Sequence, residues 1–310
     1  MDQELLDASR YQIYSVSLDT RFADTYYPPS ITYPQDNCSP DTGTADVMWR
    51  MPHHLRNIMR VSMSSIELPE VEYLFSPKNG NINFTVSLAG GPLTNVTIEA
   101  GNYRSNDMEE ELNTVFKSVD AGFTVILDLV SGKISIYHAT KAFQVWWASN
   151  DPEIAAQRRD WGIGYNLGFR EKIVMSVPLP TVALPNQQVM TATSILRVQS
   201  AAYYLLQLLI PEPVEAITHR LADGTSIPAF AKLVLRENWY HLQFDDNSNL
   251  LRKEYTFLTP VNINNVRLRL LDPYGRLVRI FDMDWSATLE FYEVKNSRSY
   301  HAIQQSYARR

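Results

Sequence analysis

Any catalysis or metal binding in this chain would have to come from six histidines, one cysteine and a few close pairs of carboxylates. His53, His54, His138, His219, His241 and His301 are scattered, and none forms a metal pair at helical spacing with a third ligand nearby. The single Cys38 removes thiolate zinc chemistry and any intrachain disulfide. His53-His54 beside Pro52 reads as a solvated pair. Asp282 with Asp284, and Asp245 with Asp246, are the carboxylates a glycosidase could use, because positions i and i+2 of a strand share a face. Such pairs more often border turns. Gly-x-Ser-x-Gly, Walker and Gly-x-Gly-x-x-Gly motifs are missing, and Trp161–Gly168 imitates the last without its spacing, strand or helix. The expectation is a non-enzyme, with no catalytic residue, cofactor, metal or small-molecule substrate.

The elements around these residues belong to a protein with a real core. Over 310 residues, 45% are hydrophobic and 20% charged, which excludes global disorder. A net charge of -6 argues against coating nucleic acid with the whole surface, so no direct nucleic-acid role is expected. Residues 1–10 lack a signal-peptide pattern and no apolar run is long enough to span a bilayer, so a soluble, intracellular chain is expected. Seventeen tyrosines and six tryptophans suit both strands and contact surfaces. Sequons at Asn37, Asn83 and Asn95 read as chance matches in a β protein.

Strand and turn signals dominate. Gln12–Leu18 alternates, and is followed by a Pro/Tyr-rich run through Tyr26-Tyr27-Pro28-Pro29 and Tyr33-Pro34 that forbids helix. Strands are predicted over Leu55–Leu68, Asn81–Leu88, Asn95–Ile98, Phe123–Leu129, Lys133–Tyr137 and Phe143–Trp147. One helix is predicted near 106–119, with Ser105 or Asn106 as cap and Met108, Leu112, Val115, Phe116 and Val119 as its apolar face. Asn150–Gly168 reads as a surface excursion, and Pro178, Pro180 and Pro185 as a connector. Ala201–Ile210 fits helix or strand, with its doubled tyrosine favouring a buried strand. Ala231–Leu235, Trp239–Phe244 and Ala287–Val294 are further strands, and Val266–Leu271 turns through Asp272–Gly275 into Leu277–Phe281. The fold expected is mainly β with one or few helices, as two antiparallel β-sandwich or jelly-roll-like domains with extended terminal arms. The divisions are an arm with one strand at 1–52, a β domain with the helix at 53–190, a second at 191–294 and a basic tail at 295–310.

Several segments in order carry a resemblance: Ser17–Arg21, Leu55–Val61 running to Ile66–Pro69, Ile98–Tyr103 before the helix, Phe123–Val125 with Ser131–Ile134, Leu167–Phe169, Asp272–Gly275, Asp284–Ser286 and Leu289–Val294. Together they resemble the minor capsid proteins of nucleocytoplasmic large DNA viruses, including those of algae and protists. The resemblance implies a structural virion protein on the inner face of an icosahedral shell, present in the host cell during assembly. Its partners would be the major capsid protein, whose trimers it bridges, and other minor capsid proteins, with contact to an internal membrane allowed. The candidate partner contacts are Tyr26, Tyr27, Tyr33, Trp49, Arg158, Arg159, Trp161, Arg298, Arg309 and Arg310. The tail, free of acids after Glu293, could dock on an acidic neighbour, an anionic membrane or nucleic acid. The alternative is a β-sandwich attachment or fibre protein that binds glycans on an aromatic platform.

Overall fold

The computed structural model describes residues 11–28, 43–147, 162–199, 201–210, 212–221, 223–236, 239–245 and 253–295. Among them the protein is mostly antiparallel β-strand with two α-helices, organised as two compact units. The chain builds the first unit with β1 (Tyr11–Asp19), β2 (Thr25–Tyr26) and β3 (Asp46–Pro69). It then forms the whole second unit: β4 (Asn83–Leu88), β5 (Leu93–Thr97), α1 (Ser105–Val119), β6 (Phe123–Asp128), β7 (Lys133–His138), β8 (Phe143–Trp146), α2 (Ile163–Asn166), β9 (Ile173–Met175), β10 (Val177–Pro178) and β11 (Gln188–Thr191). It returns to the first unit with β12 (Tyr203–Ile210), β13 (Glu212–Pro213), β14 (Ile217–Arg220), β15 (Ser226–Ala229), β16 (Ala231–Val234), β17 (Leu242–Asp245), β18 (Glu254–Leu271) and β19 (Ser286–Val294).

The first unit is a sheet in the order β1-β19-β3-β18-β12-β13, with β2 and β17 also on β3, β16 on β12, and a separate β14-β15 hairpin. Its spine is β3, 24 residues long. Valine, isoleucine and methionine side chains fit a pleated surface, and Val47, Trp49, Ile58, Val61, Met63, Ile66 and Leu68 all enter the core. β18 follows β3 from Asp46↔Arg269 to Ser62↔Glu254, while β19 takes the other edge from Ile58↔Glu293 to Glu67↔Ser286. Register shifts between Thr256 and Asn265, opposite Asn57 at φ 51, mark β-bulges. Bulges bend and twist a strand, so both halves of β3 can line one core.

The second unit holds two four-stranded sheets, β5-β4-β8-β9 and β10-β11-β7-β6, with α1 on its own apolar stripe. Met108, Leu112 and Phe116 are buried, and Phe116 meets Phe84 and Phe123 at centroid distances of 5.1 Å each. Asn113 ties helix to sheet: its Nδ2 donates to the Val125 carbonyl at 2.7 Å while Val125 N–H donates back at 2.9 Å. The helix is capped one residue early, by Arg104, whose backbone N–H donates to the Asp107 carboxylate at 3.2 Å. The Gly101-Asn102-Tyr103 approach is fixed by Leu74 N–H on Asn102 Oδ1 at 2.8 Å and by the Tyr103 hydroxyl on the Glu99 carbonyl at 2.6 Å. The two sequons on β4 and β5 interlock, Thr97 donating to Asn83 and Thr85 to Asn95.

Four expectations need correction. Residues 11–28 and 46–52 are not an arm: β1 pairs β19 along its length, from Tyr11↔Val294 to Asp19↔Ser286. The first unit is therefore discontinuous, made of 11–28, 43–72 and 201–295 among the described residues, and the boundaries at 52 and 190 fall inside units. The Pro178–Pro185 connector lies within the second unit, because a proline is tolerated on an edge strand whose outward side needs no donor. Of the surface excursion, Gly162–Gly168 is instead packed, with Ile163 and Leu167 fully buried. Leu277–Phe281 is no strand; only Leu277 bridges back to Leu271, although Val278 and Ile280 enter the core.

Candidate functional site

The two ends of the first unit's chain meet around Trp285. Its backbone exchanges hydrogen bonds with Thr20: Thr20 N–H donates to the Trp285 carbonyl, and Trp285 N–H to Thr20 Oγ1, each at 3.0 Å. The Thr20 hydroxyl donates onward to Asp284 Oδ1 at 3.1 Å. Trp285 Nε1 donates to the Thr44 carbonyl and Trp49 Nε1 to the Asp19 carbonyl, with the two rings edge to face at 6.3 Å. Both indole N–H groups are thereby satisfied inside an apolar core, which buried tryptophan requires. Tyr26 closes the same knot, its hydroxyl donating to the Thr20 carbonyl. Segments that are 264 residues apart in sequence, Ser17–Arg21 and Asp284–Ser286, thus form one structural staple.

Beside this knot, β3, β18 and β12 carry a charged row, with Tyr27 just after β2 lying over it. Asp46, with a side chain only 3% exposed, receives a two-pronged contact from Arg267 at 2.6 and 2.8 Å and a third bond from Arg269 Nε at 3.0 Å. Arg269 reaches on to Gln207 Oε1 at 3.0 Å, and Gln207 Nε2 donates to the Pro228 carbonyl. Tyr27 lies over Arg267, 3.7 Å from guanidinium carbon to ring centroid. Hydrogen bonding to the Asp46 carboxylate holds the Arg267 pKa above its ordinary value. Gly43 allows the turn that presents Tyr27: at φ 93, a Cβ there would sit 2.5 Å from the Tyr27 carbonyl carbon. With both guanidinium groups about a third exposed and one carboxylate between them, the row keeps a positive excess suited to a carboxylate-bearing surface.

Of the sequence-predicted contacts, Tyr26 and Tyr27 flank this row. Trp49 is 5% exposed and belongs to the core, because its indole is held by β1's end and by Trp285. Tyr33, Arg158, Arg159, Trp161, Arg298, Arg309 and Arg310 lie outside the described residues, as does Cys38. Sequence reasoning passed over Asp46, Arg267 and Arg269 as a site. The alternation of Val266, Leu268 and Leu270 with two arginines put both guanidiniums on one face, but nothing local announced their partner on β3.

The carboxylate pairs do not assemble. Phe281 and Asp282 have positive φ in a turn, so Asp282 and Asp284 lose the strand geometry that would align them, and Asp284 instead accepts from Thr20. Asp245 is ion-paired with the buried Lys253. The nearest thing to a catalytic dyad is in the second unit, where His138 Nε2 lies 3.2 Å from Asp120 Oδ1. His138 Nδ1, however, accepts the Thr140 and Lys141 backbone N–H groups at 3.1 and 2.9 Å, and Lys141 Nζ holds the other Asp120 oxygen at 2.6 Å. That arrangement is a turn lock. His54 pairs with Asn264. No group of three metal-ligating side chains occurs among the described residues, and none of their helices is long and apolar enough to cross a membrane.

Fold and contacts define a predominantly antiparallel β protein whose polar clusters tie strands together. No family model and no curated protein matches the chain. Among solved structures, the crystal structure of the mavirus penton protein is similar with a TM-score of 0.49 and 12% identity, over 90% of this chain and 99% of that one.

Proposed function

We propose that the chain is a structural capsid protein, a minor component that bridges major capsid protein trimers on the inner face of a large icosahedral virion. The observation that carries this reading is the convergence of the segments that resemble the minor capsid family. Ser17–Arg21, Leu55–Pro69, Asp284–Ser286 and Leu289–Val294 fall on or directly beside β1, β3 and β19, three neighbouring strands of one sheet, and the ends of β1 and β19 interlock through Thr20 and Trp285, with Trp49 of β3 against Trp285. Separate motifs that jointly specify one rigid body are what a scaffold needs. The Tyr27–Arg267–Arg269 row supplies a preorganised contact for an acidic patch on a neighbour, and the basic tail at 295–310 a second, flexible in role, for protein or membrane.

The test is impermeant amine labelling of purified particles followed by peptide mass spectrometry. The chain is expected to be present at fixed stoichiometry, unlabelled in intact particles and labelled once they are opened. Its absence from particles, or equal labelling in both states, overturns the reading.

A further inference from the structure

The second unit carries an apolar surface that its own core does not use. Residues 173–179 form the edge of both its sheets: among the described residues β9 pairs only with β8, and β10 only with β11. Along this edge Ile173, Met175, Val177 and Leu179 recur at the spacing of two that places side chains on one face, and all are exposed, Met175 by 67% and Val177 by 58%. The β10–β11 loop extends the strip with Val182 and Leu184, both exposed. Six such side chains present on the order of 600 Å² of apolar surface, at the upper end of what a monomer exposes.

Three observations bear on what covers it. From Ile173 to Leu196 there is no Asp, Glu, Lys, Arg or His. A charged partner gains nothing there, whereas two copies of a chain with net charge -6 can meet there without like charges facing each other. Second, Leu179 N–H donates to the Gln187 carbonyl, which turns Pro178 and Pro180 towards the open side, where they offer no donor. Strand addition along the β10 edge is thus disfavoured, and there the contact is made by side-chain faces. Third, two strips of this size facing each other bury about 1,200 Å² together, which reaches the lower bound of a specific interface.

We infer that this strip is a self-association surface, occupied by the same strip of a second copy of this chain. The inference stands on the second unit's surface alone and does not rest on the capsid reading. Sedimentation equilibrium of the full chain over a concentration series tests it, with the Met175→Asp/Val177→Asp double variant and, as control, Leu258→Asp at an exposed position of the first unit. The wild type and Leu258→Asp are expected to dimerise reversibly, and the double variant to dissociate at least about tenfold more readily with an unchanged thermal melt. Val182→Asp, at a fully exposed loop position, repeats the test where folding is not at stake. A wild type that stays monomeric throughout, dimers indifferent to all three strip substitutions, or a monomer that instead floats with phosphatidylcholine vesicles would each overturn it.

Discussion

Removing the Asp46 carboxylate leaves two guanidinium groups sharing nothing but Gln207 and the Tyr27 ring. Because both arginines retain partial access to water, Asp46→Ala is expected to cost about 2 kcal/mol, below the figure for a fully buried pair, as read from urea unfolding. Arg267→Met should cost less, since Arg269 remains to neutralise Asp46. In the second unit, Lys141 first, then the Gly122 N–H, hold the Asp120 carboxyl down to about 2 from an ordinary 3.8. A depressed carboxyl pKa adds stability that is complete above 3.8 and is lost as pH falls to about 2. Asp120→Asn should therefore flatten the fall of the urea midpoint across that window, and an unchanged slope would refute the lock. The Asp46 set was not legible in the sequence, because Asp46 and Arg267 are 221 residues apart and only pairing on one sheet joins them.

Elements whose signals are local were read correctly. The helix over Ser105–Val119 was announced by its apolar stripe, and its cap missed by one residue because the Asp107 carboxylate serves the Arg104 backbone N–H rather than that of Ser105 or Asn106. The run Ala201–Ile210 resolved as the strand β12, buried at most positions because β16 and β18 lie on its two edges. What failed were elements that exist through distant partners. The first half of β18, rich in asparagine and threonine, is a strand because β3 supplies its ladder. The proline-marked stretch is β10 because β11 returns beside it. Gly168 shows how tightly such returns are fitted: at φ 91, a Cβ would lie 2.2 Å from the Ser194 carbonyl oxygen. Gly168→Ala is expected to destabilise the protein by about 3 kcal/mol, combining backbone strain with the clash, measurable as a lowered melting temperature.

At the scale of the whole molecule, the described residues of the second unit all fall between Tyr73 and Ser200, with a core of their own from Phe75 to Ala192. A fragment of those residues should unfold cooperatively by itself, with dispersed methyl NMR signals; a collapsed, uncooperative fragment would contradict that autonomy. The first unit has no such option. Its spine β3 is made early and stays without one edge until β19, at Ser286–Val294, has been added. During synthesis a ribosome thus releases a finished second unit while the first waits, with apolar residues of β3 uncovered, for the last strand of its sheet. Truncation before Ser286 should leave that sheet open in every copy, so that only chains translated through β19 close the sheet around the Trp285 knot.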